Sequence, residues 1–178
     1  MLEGERSIML IRKHKKQWLL VVQALTTLAT LLAAIILTVG AAQAADVVVE
    51  TIQTGRDDNS SLVEGAMVFR VQAFDTGRGN RDGDGIDSVD LIIEDDNGRE
   101  VYRRREQNPG YCAFQGGEPN CNVYVFSQNN NRWPDRNGRP GRGERIRDGS
   151  EYTLFAIANT DDGRSIRSED TVVEVRLR

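Results

Sequence analysis

Lysine stops at Lys16, and the only histidine is His14. The long remainder of the chain therefore has no imidazole to serve as general base for a Ser–His or Cys–His pair, or as a neutral metal ligand. Cysteine is limited to Cys112 and Cys121, too few for a Cys/His zinc set without histidine. Proline occurs four times and aromatics make up 6% of the residues. No window after residue 45 holds a helical repeat of useful length, which argues against a bundle or an α/β architecture. From Ala45 onward, 18 Arg stand against 25 Asp plus Glu, a net charge of −7. An acidic chain without lysine is a poor nonspecific binder of nucleic acid. A GC-rich genome is sufficient to account for arginine as the sole strong base.

Against these absences one long apolar run stands out. Arg12, Lys13, Lys15 and Lys16 precede an uncharged stretch from Gln17 to Ala45 that contains "WLLVVQALTTLATLLAAIILTVG". It ends in Ala42-Gln43-Ala44. A basic flank, an apolar centre and an Ala-x-Ala site are the parts of a secretory signal peptide. The run also reaches the about 20 apolar residues that an anchoring helix needs. Both readings divide the chain into residues 1–44, signal peptide or membrane anchor, and an exported domain at residues 45–178. Both place that domain outside the cytoplasm, extracellular or at the cell surface. In that compartment an even pair of cysteines predicts a Cys112–Cys121 disulfide.

The exported part reads as all-β. Short alternating segments recur between Gly, Asp and Asn clusters, about seven in all. They are "DVVVETI", "MVFRVQAF", "IDSVDLIIED", "REVYRRRE", "NVYVFS", "EYTLFAIA" and "TVVEVRL". Phe69, Val71 and Ala73 share one face of the second, and Val89, Leu91 and Ile93 one face of the third. Asp96-Asn97-Gly98 is a hairpin signal. The strand that follows carries few apolar residues and many arginines, the mark of a protected sheet edge. Between Gln128 and Arg147 lies a long polar stretch rich in Asn, Arg and Gly.

The order "GDGIDSVDLII", "NGREV", "YCAFQGGEPNC", "RWPD" and "DGSEYTLFAIANTDDGR", over roughly Asp82 to Arg164, resembles a bacterial extracellular immunoglobulin-like (Ig-like, fibronectin III-like) family. That resemblance implies an antiparallel β-sandwich, usually a module of surface proteins. Tyr152 falls where the family's tyrosine corner sits, two residues before a position that is cysteine in antibody domains and Leu154 here. The core disulfide of antibody domains is thereby absent. The resemblance carries no catalytic residues.

Two candidate sites follow. "GNRDGDGIDSVD" places Asn80, Asp82 and Asp84 at alternate positions before Gly85, as an EF-hand does, but Leu91 occupies the place of the bidentate carboxylate. In an Ig-like frame the loop from Asp75 to Ile86, the disulfide loop and the turn from Asn159 to Arg167 emerge at one end. Asp82, Asp84, Asp87 and Asp161 are there the candidate ligands of a calcium ion, against a plain reading as a solvated turn built on Asx hydrogen bonds. At the same end Tyr111, Phe114 and Gln115 on the stapled loop are candidate binding residues, by analogy with paratopes. The plain alternative folds these aromatics down over the core. At the opposite end Trp133 lies among Arg132, Arg136, Arg139, Arg142, Arg145 and Arg147. Stacking and ion pairing there would offer a grip on an anionic polymer, but Asp135, Glu144 and Asp148 dilute that charge, and the expectation is a tryptophan capping the core with solvated arginines.

The function expected is non-catalytic. An exported Ig-like module would bind an extracellular protein or a glycan, or serve adhesion or assembly at the cell surface. The alternatives are a calcium-dependent carbohydrate-binding domain and, further off, a small hydrolase built on a carboxylate pair.

Overall fold

The computed structural model describes residues 46–56, 59–114 and 116–177. The leader and its Ala-x-Ala site lie outside the described residues. Ala45–Arg178 forms a compact unit of its own.

The unit is all-β. Alternation decides which residues face inward. In β5 (Ile86–Asp95), Val89, Leu91 and Ile93 are fully buried in the core cluster. In β8 (Ser150–Thr160) the inward row is Tyr152, Leu154, Ala156 and Ala158. The two strands pair antiparallel along nearly their whole length, Leu91 opposite Ala156 and Ile93 opposite Leu154, so the rows meet on one face. β6 (Glu100–Glu106) pairs with the outer side of β5 after the Asp96–Gly98 turn, in which Gly98 takes φ +72°. β10 (Thr171–Arg176) pairs antiparallel with β8, and β2 (Leu62–Glu64) adds to β10 in parallel. The sheet order is β2-β10-β8-β5-β6, with β9 (Ser165–Arg167) beside the end of β8.

β1 (Val47–Gln53) and β4 (Arg70–Asp75) form a separate antiparallel ladder that packs on β5 and β8. Phe69, Val71 and Ala73 point into the shared core, each fully buried. β3 (Ala66–Met67) pairs with β7 (Tyr124–Val125). The segment expected as one strand from Met67 to Phe74 is therefore divided. Val68 N–H donates to the Thr54 carbonyl at 3.0 Å, and the chain changes partner from β7 to β1 at that point. The strand expected from Asn122 to Ser127 shortens to two residues and runs into a 3-10 turn at Ser127–Asn129. β2 and β9 were not expected. Each is three residues long and too short for an alternation to register.

Aromatic rings fill one end of the core. Trp133 is fully buried, with its ring 5.2 Å from Tyr152 and 6.1 Å from Phe126, both edge-on, and 6.4 Å from Tyr124. Trp133 therefore caps the core as expected, and the polar stretch around it is tied down in consequence. Trp133 N–H donates to Glu144 O at 2.8 Å, Gly143 N–H to Trp133 O at 2.7 Å, and Ile146 N–H to Asn131 O at 2.8 Å. Residues 131–135 and 143–146 thus run back to back as a short arginine hairpin. Gly143 is required at its crossing, because a Cβ there would stand 2.2 Å from the Pro134 carbonyl.

Candidate functional site

The acidic loop after β4 is a hydrogen-bonded turn, and its carboxylates are engaged with the chain itself. Asp82 accepts from Ala73 N–H at 2.9 Å through one oxygen and from Gly110 N–H at 2.7 Å through the other. Asp84 accepts from Arg81 N–H at 3.0 Å. Asp87 is exposed at the start of β5. Asp161 lies on the neighbouring turn, where its N–H donates to Gly85 O at 3.1 Å and its carboxylate faces Arg78 at 3.7 Å. The three loops do meet at one end as expected, the acidic loop tied to the disulfide loop by Asp82 and to the turn by an arginine. Arg164 joins the buried Asp75 to Asp162. The Arg164 guanidinium and then the Thr160 hydroxyl hold the Asp162 carboxyl down to about 2. The four-carboxylate cluster expected at Asp82, Asp84, Asp87 and Asp161 does not assemble. Among the described residues no three acidic side chains stand together as metal ligands. For Asp82, Asp84 and Asp161 the physical reason is competition: backbone amides and an arginine already face these oxygens. Gly83 lets the loop pass close over the disulfide segment, since a Cβ there would meet Pro109 at 2.5 Å and φ is +94°.

The Cys112–Cys121 disulfide is formed, with Cα atoms 5.2 Å apart. It does not present aromatics to solvent. Val71 N–H donates to Tyr111 O at 3.1 Å, and Ala113 N–H to Phe69 O at 2.9 Å, so residues 111–113 lie alongside β4 like an added strand. That placement turns Tyr111 inward to full burial and leaves Phe114 only 3% exposed. Phe114 stacks on Tyr124 at 4.6 Å and on Tyr102 at 5.6 Å, and the Tyr102 hydroxyl donates to Ala113 O. Burial pushes the Tyr102 phenol up to about 12. The expected aromatic contact patch is corrected accordingly. Burying a ring of this size stabilises by about 1.5–3 kcal/mol, more than a solvent-facing pose offers. Gln115 lies outside the described residues.

One concave surface lies elsewhere on the unit. A groove of about 740 Å³ runs between the edge strand β6 and the arginine hairpin. Asp90, Val101, Arg103 and Arg105 form the strand side, and Pro134, Arg136 and Glu144 the hairpin side. Asp90 is 5% exposed and receives both arms of Arg105, at 2.9 and 2.8 Å. The Arg105 guanidinium, outweighing burial, lowers the Asp90 carboxyl below its ordinary value. At one end Arg99 bridges Asp95, at 3.1 Å, and Glu144, at 2.6 Å. Among the described residues β6 has no strand neighbour on its outer side, which makes it the sheet edge beside the groove.

Sequence reasoning did not find this groove. Its walls, Arg105 and Arg136, are distant in the chain, and the second reads as low-complexity polar sequence. The available signal was local: in "RGERIRDG" a lone Ile146 sits among charged residues, and it is buried against the aromatic core.

No family model matches the chain, and no curated protein is significantly similar to it.

Two outcomes follow from the geometry. Replacing Asp82 by Ala strands two buried-side amide donors, and is expected to cost about 1–3 kcal/mol in urea unfolding. The loss should be the same in EDTA and in millimolar calcium, whereas a calcium-dependent difference contradicts the turn reading. For Asp90 the native pKa lies below the unfolded one, so its stabilisation is complete above the ordinary carboxylate value of about 3.9 and is lost as pH falls through the lowered native value. The stability gap between the wild type and Asp90→Asn should therefore be open at neutral pH and close below about pH 4. A gap that widens in acid contradicts the ion pair.

Proposed function

We propose that the exported unit is a non-catalytic Ig-like module that binds a protein or glycan at the cell surface. Its strand pairing supports the Ig-like part. The parallel pairing of β2 with the last strand, a central antiparallel β8–β5 pair and the β1–β4 ladder packed on them follow the connectivity of such sandwiches. Tyr152 supports it as well. Its hydroxyl accepts from Arg147 N–H at 3.0 Å, the back-bond of a tyrosine corner.

The binding part rests on the groove beside β6, a concavity on a rigid strand with apolar and charged groups intermixed. Its chemistry favours recognition over turnover. Asp90 is held ionised by arginine, the opposite of the raised carboxyl that a general acid requires. No histidine follows His14, and among the described residues no cysteine is free. Surface export rests on the basic and apolar leader with its Ala-x-Ala site.

The test is a panel of immobilised glycans and envelope proteins read by biolayer interferometry. Arg103→Ala combined with Arg136→Ala is expected to weaken the strongest interaction by about tenfold or more, equivalent to about 1.4 kcal/mol, with the unfolding midpoint of the protein little changed. Full binding by the double variant would contradict the groove as the recognition surface.

A further inference from the structure

The arginine hairpin carries a charge that its sequence conceals. Between Arg132 and Arg147 six arginines stand against two carboxylates, Asp135 and Glu144, with Asp148 just beyond. Each of these carboxylates has a partner, but the backbone amides on Asp135 and Asp148 leave those negative charges in place, and only Glu144 is paired with a cation. Asp135 accepts from Asn137 N–H and Arg139 N–H, both at 2.9 Å. Glu144 is taken by Arg99. Asp148 accepts from Leu177 N–H at 2.7 Å. Arg147 pairs with Asp96 at 3.6 Å, and Arg132 donates to Gly143 O at 3.0 Å. Arg136, Arg139, Arg142 and Arg145 are exposed, with no carboxylate partner among the described residues.

One further feature points to an anion. Arg132 and Arg145 are direct antiparallel partners across the hairpin. Like charges placed directly opposite on a ladder destabilise it, so this pairing has an unfavourable electrostatic component in the free protein that a bound anion would relieve. The net charge of −7 for the unit does not cancel the effect. Exposed charges more than about 10 Å away are screened at ordinary ionic strength, and within the hairpin itself six arginines outnumber Asp135 and Glu144.

We infer that the arginine hairpin, at the rim of the β6 groove, binds an acidic polysaccharide, whose carboxylate or sulfate groups lie along Arg132, Arg136, Arg142 and Arg145. The groove itself, where Arg103 pairs with Glu100 at 3.0 Å and Arg105 with Asp90, is not the anion site. This inference rests on the reading of the unit as a surface-binding module and names the ligand class for the rim of its groove. The guanidinium fork matches carboxylate and sulfate oxygens in pairs. A polymer fits better than a small anion, because the arginines are spread along the hairpin and the groove is open rather than enclosed. A polysaccharide fits better than a nucleic acid, because Phe114, Tyr124, Trp133 and Tyr152 are all buried and leave no ring on this surface for bases to stack on.

The experiment measures binding of dextran sulfate, polygalacturonate, neutral dextran and poly(dT) to the protein by isothermal titration calorimetry, in low and in raised salt. The acidic polysaccharides are expected to bind, more weakly as salt rises, and neutral dextran and poly(dT) to bind at least about tenfold more weakly. Arg132→Gln combined with Arg145→Gln should reduce dextran sulfate affinity about tenfold or more, while Arg81→Gln, at the opposite end of the unit, should leave it intact. Should the first double variant fail to fold, Arg136→Gln combined with Arg142→Gln tests the same surface without touching the ladder. Equal binding of neutral and acidic dextrans overturns the acidic class but leaves a glycan-binding module standing. Stronger binding of poly(dT) overturns the choice of polysaccharide. No binding of either acidic polymer, or undiminished binding by the hairpin variants, overturns the inference, while the glycan and protein panel continues to test the module reading on its own.

Discussion

Burial of Trp133 is the constraint on which the surface depends. Its ring contacts Tyr124, Phe126 and Tyr152 and lies parallel to Phe114, so it joins the central sheet, the disulfide segment and the polar hairpin in one packed cluster. Truncating a buried tryptophan to alanine costs about 3–5 kcal/mol in typical cores, a large fraction of the stability of a domain this size. What the ring does locally matters as much. It fixes the segment from Asn131 to Asp135, and the return segment from Gly143 to Ile146 is registered on it by backbone hydrogen bonds and an isolated bridge between Arg132 and Arg145. A stretch rich in Asn, Arg and Gly, which alone has no core to bury, is thereby held as a hairpin.

Position follows from the same packing. The Tyr124 hydroxyl donates to Arg132 O at 2.6 Å and accepts from Gly141 N–H at 3.1 Å, so the aromatic core also spans the hairpin from its base to its tip. With the backbone satisfied in this way, the arginine side chains are free to face outward beside β6. The groove exists because β6 is the edge of the sheet and the hairpin stands next to it. The other end of the unit is closed differently, by Asp82 on backbone amides and by Arg164 between Asp75 and Asp162. That end is knitted together from within, whereas the hairpin end retains unneutralised charge.

The long strands were legible in the sequence because their alternation is long. Val89, Leu91 and Ile93, and Phe69, Val71 and Ala73, announce which face is buried, and the Asp96-Asn97-Gly98 turn announces its hairpin. The disulfide was legible from the cysteine count and the leader. Strand partners were not. Nothing in "MVFRVQAF" states that Met67 pairs with Tyr124 while Arg70 onward pairs with β1. The partners of the candidate site residues within the fold were not legible either. Asp82 and Asp84 resemble ligands by spacing, but whether a carboxylate is available depends on which amides lie beside it. Tyr111 and Phe114 resemble contact residues on a stapled loop, but residues 111–113 run along β4 and take the rings inward. For the arginine stretch the reading holds: Trp133 caps the core and the arginines are exposed, while the backbone amides that Asp135 and Asp148 accept from were not legible in the sequence.

The claim that recognition lies at the hairpin and edge strand is tested most directly by hydrogen exchange of the protein with and without dextran sulfate. The account predicts added protection in β6 and in residues 131–146, with the loop from Asp75 to Ile86 and the turn at Thr160–Arg164 unchanged. Protection confined to that loop and turn, or no change in β6 and the hairpin at saturating polymer, would contradict it.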